Sequence, residues 1–319
     1  MKAPLVSILI PLYNAEQFVI TTLESCINQT YKNIEIIVVD DGSTDNSYAT
    51  TIEYSKHHPQ VKVYKQPNLG ACRARNLAYE KSQGAYIMYL DADDLITRNK
   101  VSAQVKIMNK LNDPYIVTTC AYEEFENTIP SNWTQRSHYH NYQNPVELLL
   151  DMWSTGAMLQ TTCYLITRTM VEIVGNWDES LKKNQDGDYF SRVLMHSSSV
   201  YFADNCCVFY RRGHPSISTT EKNSKQKLES VLLSYKKQKS ILNIIDNAKV
   251  RNALARNFSL ILNQAEYASE TYLEALQEIK NLGQKPQIIN PSLPVRILSN
   301  LLGVEHFLYI KKYIKWIVR

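Results

Sequence analysis

Tyr86-Ile87-Met88-Tyr89-Leu90-Asp91-Ala92-Asp93-Asp94 is an apolar run that stops abruptly in a cluster of acids. It has the length and the β-branched and aromatic content of a buried strand. Its end therefore delivers three carboxylates to a sheet edge, where ligands of open α/β sheets bind. Carboxylate oxygens suit hard cations such as Mg²⁺ or Mn²⁺, and such ions commonly hold a substrate's phosphates. Asp-x-Asp by itself is also a common solvated turn, so the weight of this reading comes from what stands upstream.

Val6-Ser7-Ile8-Leu9-Ile10-Pro11-Leu12-Tyr13-Asn14 reads as a short apolar strand closed by a proline that cannot donate to a central ladder. Val19, Leu23, Cys26 and Ile27 then share one helical face. Ile34 to Val39 forms a second buried strand that ends in Asp40-Asp41-Gly42-Ser43. Val61 to Tyr64 is a third strand, Asn68-Leu69-Gly70 a turn and Arg73 to Lys81 a helix, after which comes the strand leading to Asp91. Strand and helix alternate throughout, which predicts an α/β fold with a mainly parallel sheet covered on both faces.

With 319 residues, 44% of them hydrophobic and 21% charged, the chain can bury a large core and has room for a smaller appendage. A net charge of +4 is too small for a nucleic-acid footprint, although basic residues gather toward the C-terminus. The nine glycines form neither G-x-G-x-x-G nor a Walker loop, which argues against dinucleotide oxidoreductases and P-loop enzymes. Six cysteines without a C-x-x-C pair read as reduced core residues of a cytoplasmic protein. Neither a signal peptide nor a run of the ~20 apolar residues that cross a bilayer is visible. His138 and His140 have zinc-like spacing without further ligand candidates and read as surface loop residues.

Four ordered blocks resemble glycosyltransferase family 2, whose catalytic domain has the GT-A fold, a Rossmann-like and mainly parallel sheet flanked by helices. They are Pro11-Leu12-Tyr13-Asn14, Val38 to Asp45, Asn68-Leu69-Gly70 with Ala74-Arg75-Asn76, and Leu90 to Asp94, each following a predicted strand. The resemblance implies an inverting, metal-dependent enzyme. Such an enzyme moves a sugar from a nucleoside-diphosphate donor, here a UDP-sugar, to a hydroxyl of a glycan or lipid-linked glycan in surface polysaccharide assembly. It implies that Pro11, Tyr13, Asn14, Asp40, Asp41, Asn68, Gly70, Arg75, Asn76, Asp91, Ala92 and Arg211 hold the donor. Tyr13 would stack on the base and Asp41 would accept its ring N–H, against simple packing for an arbitrary tyrosine. Arg75 meets either a phosphate or an acid of the Asp cluster. For Mn²⁺ or Mg²⁺ the implied ligands are Asp93, then Asp91, with His214 completing the set or standing as a loop residue beside Pro215. Asp94 is either part of the cluster or the cap of a helix over Arg98 to Leu111.

Gly175-Asn176-Trp177-Asp178-Glu179-Ser180-Leu181 and Gln185-Asp186-Gly187-Asp188-Tyr189-Phe190-Ser191-Arg192 look like the family's acceptor block. Asp186 matches the general base, Asp188 is the runner-up, and capping of a helix beginning near Tyr189 is the structural alternative for either. No tryptophan follows an arginine, so the Gln-x-x-Arg-Trp motif of the processive synthases is missing and a single-transfer enzyme is expected. A sugar nucleotidyltransferase would need a glycine-rich loop after the first strand, and a catalytically inactive scaffold is the non-enzymatic alternative.

These readings give a catalytic domain over 1–220, with a nucleotide-sugar half at 1–97 and an acceptor half at 98–220, and a helical region over 221–319. In the latter, Leu228, Val231, Leu232, Tyr235, Leu242 and Ile245 form one apolar stripe and Leu254, Phe258, Ile261, Leu262 and Ala265 another. At the end, Phe307, Ile310, Ile314 and Ile317 share a face while Lys311, Lys315 and Arg319 run down a different one. That pattern fits an anchor on the anionic inner face of the cell membrane, or else a helix packed on its neighbours or on a second subunit in a homodimer.

Overall fold

The computed structural model describes residues 3–213, 225–242, 245, 247–289 and 292–311. The chain divides into two compact units: Met1–Leu148 with Met158–Glu179 and Tyr189–His214, and Leu149–Ala157 with Ser180–Asp188 and Pro215–Arg319. Two short segments from the stretch before residue 220 thus belong with the helical region, while the junction at 220 lies outside the described residues.

The elements up to residue 211 follow in the order β1 (Val6–Leu12), α1 (Val19–Ile27), β2 (Ile34–Asp40), α2 (Ser47–Ser55), β3 (Val61–Lys65), α3 (Ala71–Lys81), β4 (Tyr86–Tyr89), β5 (Leu95–Ile96), α4 (Lys100–Leu111), β6 (Ile116–Phe125), α5 (Pro145–Thr155), β7 (Ile166–Thr167), α6 (Arg168–Val174), α7 (Gln185–His196) and β8 (Ser199–Arg211). In the first unit the main sheet has the order β3-β2-β1-β4-β7, parallel except for β7. All seven residues of β2 are buried, as two covering layers of helix require. In α1 the buried positions Val19, Thr22, Leu23 and Cys26 repeat at three and four residues, the spacing of a single helix face. The sequence left α2 unmarked because it buries only Ser47 and Thr51.

The chain runs outward from β1 to β3 on one side and resumes at β4 on the other. The crevice between β1 and β4 is therefore the topological switch point of the sheet. At its C-terminal edge lie residues 11–14, 40–45, 66–70 and 90–94. A second sheet, β5-β8-β6, begins one residue after Asp94, with Leu95 and Ile96 paired antiparallel to Phe209 and Val208.

The second unit contains α8 (Lys225–Leu242), α9 (Ala248–Gln264) and α10 (Glu270–Asn281); α8 buries Leu228, Leu232 and Leu242, and α9 buries Leu254, Phe258, Ile261 and Leu262. These belong to the expected stripes, whose Val231, Tyr235, Ile245 and Ala265 are half-buried. Lys236–Glu274 and Lys239–Glu278, both 2.6 Å, join α8 to α10. α11 (Leu293–Leu302), with Pro294 in its first turn, and α12 (Val304–Lys311) follow.

One buried carboxylate ties the sheet together at the end away from the crevice. Glu35 on β2 accepts from Ser7 Oγ of β1 at 2.7 Å, from Lys62 Nζ of β3 at 2.9 Å and from the Gln83 amide before β4, while Ser7 Oγ takes the Gly84 amide at 2.8 Å. Burial alone would raise its pKa, but these donors hold it below the ordinary glutamate value. Its contribution to stability is therefore present above the unfolded-state pKa and lost as the pH falls through the lower folded one. Glu35→Ala should cost about 2–3 kcal/mol of unfolding free energy at neutral pH. Thermal melts should show the gap to wild type closing in acid, with catalytic turnover of the folded protein unchanged.

Candidate functional site

The first wall of the crevice is a pair of loops stitched together by side chains too short to reach further. Asn14, at φ 48°, accepts from the Thr44 amide at 2.8 Å, while the Asn14 amide donates to Ser43 Oγ at 3.1 Å. Ala15 donates to Ser47 Oγ at 2.8 Å, Glu16 to Asp45 Oδ2 at 3.2 Å, and Asn46 to Glu16 Oε2 at 2.8 Å. Tyr13 stands half-buried between Leu12 and this seam, and Pro11 pairs with Val39 in the ladder.

Asp40 and Asp41 are both buried but differently employed. Asp41 Oδ1 accepts from Gln66 Nε2 at 2.7 Å and the Leu69 amide at 2.8 Å, and Oδ2 from the Gly70 amide at 2.9 Å, so this carboxylate fixes the loop that carries Asn68. Gly42 has φ 73°, and a Cβ there would come within 2.8 Å of the Asn68 nitrogen, so the two loops touch backbone to backbone. Asp40 Oδ2 takes the Ser43 amide at 3.2 Å, whereas Oδ1 is buried with no hydrogen-bond donor among the described residues.

The second wall is the acidic turn. Arg75, buried on α3, donates to Asp91 Oδ1 at 2.8 Å and lies 4.6 Å over the Trp177 ring. The contact with an acid of the cluster, one of the two readings of Arg75, is thus present in this structure. Asn76 is committed elsewhere: Nδ2 donates to the Trp177 carbonyl at 3.0 Å and Glu179 Oε1 at 2.9 Å, and Oδ1 accepts the Trp177 amide at 2.9 Å. The carbonyl of Ala92 takes Thr22 Oγ1 of α1 at 3.0 Å.

Arg211, the last residue of β8, closes the back of the turn. Its Nε donates to the Asp93 carbonyl at 3.0 Å, its amide donates to Asp94 Oδ1 at 3.0 Å, and its guanidinium lies 4.8 Å over Phe18 and 4.4 Å over Phe125. Asp94 therefore does not cap α4, whose N-cap is Asn99. Burial, and then the charges of Asp93 and Asp91, push its carboxyl well above the usual carboxylate range. Burial also lifts the Tyr210 hydroxyl to about 12, with Arg212 opposing and the three acids adding.

Asp91 and Asp93 are the half-buried members of the cluster, so they are the carboxylates a cation could meet. No three metal-ligating side chains converge among the described residues, and His214 lies outside them. His138, expected at the surface, is buried against Tyr139 with ring centroids 4.8 Å apart, because the stretch after β6 folds back over the protein; His140 is exposed.

In the second unit, α7 starts at Gln185, four residues earlier than the sequence suggested, so Asp186 and Asp188 both sit in its first turn. Asn184, at φ 60°, precedes them and donates from Nδ2 to Ser234 Oγ at 2.8 Å. Asp188 is buried, 2% exposed, while Asp186 is half-buried, so of the two acids Asp186 is the more open to a ligand.

Nothing local in the sequence signals Glu179 as the partner of Asn76, nor Asp94 as the acceptor for a strand 117 residues away. Asp94→Asn keeps a carbonyl oxygen for the Arg211 amide and removes the acid whose ionisation burial opposes, so its melting temperature should match or exceed wild type. Asp94→Ala leaves that amide unsatisfied and should cost about 1–3 kcal/mol in denaturant unfolding.

Residues 7–175 match the family model described as Glycosyl transferase family 2. An uncharacterised glycosyltransferase of Rickettsia typhi is 29% identical over 236 residues, which is 74% of this chain and 73% of that protein. Glycosyltransferase GlyA of Streptococcus pneumoniae is 28% identical over 67% of this chain and 31% of its own length. Among solved structures, residues 1–349 of S. aureus TarS in complex with UDP-GlcNAc superpose with a TM-score of 0.70 at 17% identity, over 96% of this chain and 88% of that one. The mannosyltransferase PcManGT of Pyrobaculum calidifontis, in complex with GDP-Man and Mn²⁺, gives 0.58 at 15% identity, over 99% and 89%. With its parallel sheet, its switch-point crevice and its ordered loop blocks, the chain has the GT-A fold and belongs to glycosyltransferase family 2.

Proposed function

We propose that this glycosyltransferase binds a UDP-sugar in the β1–β4 crevice and transfers the sugar, with inversion, to a hydroxyl of a glycan or lipid-linked glycan acceptor in surface polysaccharide assembly. The observation that carries the reading is the acidic turn 91–94 at the switch point, gripped from two sides by Arg75 and Arg211. The TarS complex with UDP-GlcNAc supports a uridine donor, and the GDP-Man complex of PcManGT keeps a guanosine donor as the reading a donor screen must exclude.

In this scheme Tyr13 stacks on the base. Asp41, which also holds the 66–70 loop, accepts the ring N–H, and Asp40 assists beside it. Asp91 and Asp93, the half-buried acids of the turn, offer oxygen ligands to Mn²⁺ or Mg²⁺. When bound, the metal supplies Lewis acidity against the charge that builds on the departing diphosphate. Arg211, fixed through its backbone and Nε, keeps the turn from recoiling under that load. Asp186 is the base: its carboxylate takes the proton of the acceptor hydroxyl as that oxygen attacks the anomeric carbon from the face opposite the diphosphate. The amide network of Asn76 has no spare N–H for the donor, so Asn76 serves by holding the Trp177–Glu179 segment.

Two measurements test this. Release of nucleoside diphosphate from a panel of nucleotide sugars should be fastest with a UDP-sugar, stop in chelator and return with Mn²⁺. Asp93→Asn should abolish it with the melting temperature unchanged; full activity in chelator would remove the metal from the scheme. Asp186→Asn should leave donor affinity intact, measured by calorimetry, while transfer falls about 10²- to 10⁴-fold. Transfer that survives in Asp186→Asn and is lost in Asp188→Asn would move the base to Asp188.

A further inference from the structure

The second unit exposes an apolar surface that the transfer chemistry does not use. On α11, Val295 and Ser299 are buried, 7% and 5% exposed, and mark the side that faces the protein. Ile297 and Leu301 lie about 200° round the helix from them, and they are 51% and 77% exposed, with Leu298 at 38% and Leu302 at 42% between the two sides. Only Arg296 and Asn300 make a polar strip. A helix that packs on one side and faces water on the other should be polar on the outer side. This one is apolar on both.

The described part of the neighbouring helix offers less apolar surface. In α12, Phe307 and Leu308 are buried and Tyr309 meets the Tyr267 ring at 5.4 Å, so the stripe starting at Phe307 turns inward, and Ile314 and Ile317 lie outside the described residues. Charge identifies what covers α11. Residues 293–319 contain Arg296, Lys311, Lys312, Lys315 and Arg319 against the single acid Glu305, and the rest of the chain holds 30 basic and 30 acidic residues. The whole net charge of +4 thus falls, in sequence, within the 27 residues that begin with α11, a segment that also holds Tyr313 and Trp316. An exposed apolar helix face in a segment of such basic and aromatic composition matches an anionic lipid surface. A second copy of this chain would bring the same positive charge against itself.

We infer that Ile297, Leu298, Leu301 and Leu302 of α11 form the face by which this protein lies on an anionic membrane, with α12 acting as the strut behind it. This surface stands independently of the donor chemistry, because vesicle binding is read without any substrate. The test is co-sedimentation of the full chain with phosphatidylcholine vesicles, with and without phosphatidylglycerol, at low and high salt. Wild type should bind the anionic vesicles and weaken in salt. Ile297→Glu with Leu301→Glu should lower the partition coefficient by at least about tenfold for each side chain, with diphosphate release from the donor unchanged. Leu301→Ser alone, at the most exposed position, should show a partial loss and covers the event that the double variant misfolds. Wild type that ignores anionic vesicles at low salt overturns the proposal, as does unchanged binding by Leu301→Ser and the double variant. So does a dimer, seen by light scattering, that the double variant dissolves, since the face would then belong to a second subunit.

Discussion

Three carboxylates within four residues repel one another, and the site depends on how the chain holds them in one turn. Two guanidiniums do it from different elements. Arg75 comes from a helix and pairs with Asp91; Arg211 comes from the end of a strand and takes the backbone of Asp93 and, through its own amide, the carboxylate of Asp94. Asp94 is the costliest of the three, buried and pushed toward its neutral form, and its position follows from β5 starting at the next residue and pairing with β8. The second sheet is thus what allows an acid to be buried beneath two others.

The opposite wall uses no opposed charges at all. Residues 12–16 and 43–47 exchange hydrogen bonds between amides and short polar side chains, and Asp41 spends its carboxylate on the amides of residues 69 and 70. Such contacts cost little entropy to hold because Asn, Ser and Asp are short. Loops that would otherwise be mobile become a shaped rim.

Much of this was legible in the sequence because it follows from periodicity and strand ends. The four parallel strands are short apolar runs, α1 and the helical stripes of the second unit repeat at three and four residues, and acids stand where β2 and β4 stop. What was illegible is long-range pairing. Asp94 reads as a helix cap because acids favour that position, and nothing local reveals a partner at Arg211. Asn76 sits in a motif block, yet its amide serves the Trp177 backbone 101 residues away. His138 looked like a loop residue, and Lys100, fully buried with Nζ on Gln104 Oε1 at 2.6 Å, breaks the rule that lysines stay outside. α7 began early because Asp, Gly and Asp discourage a helix interior while suiting its first turn.

The aromatic contacts explain why arginine, and not any cation, stands at position 75. Tyr189 stacks on Trp177 at 4.2 Å with an interplanar angle of 2°, Tyr89 meets both rings edge-on, and the guanidinium of Arg75 lies over the indole on its way to Asp91. A planar cation can present its face to a ring and its edge to a carboxylate at the same time. The compact ammonium of lysine can satisfy only one of these well and holds its water more tightly. The Asn176–Glu179 segment thus reaches the acidic turn through a ring and a guanidinium, and Asn76 locks that segment from below. Asp91 is placed by packing as much as by charge.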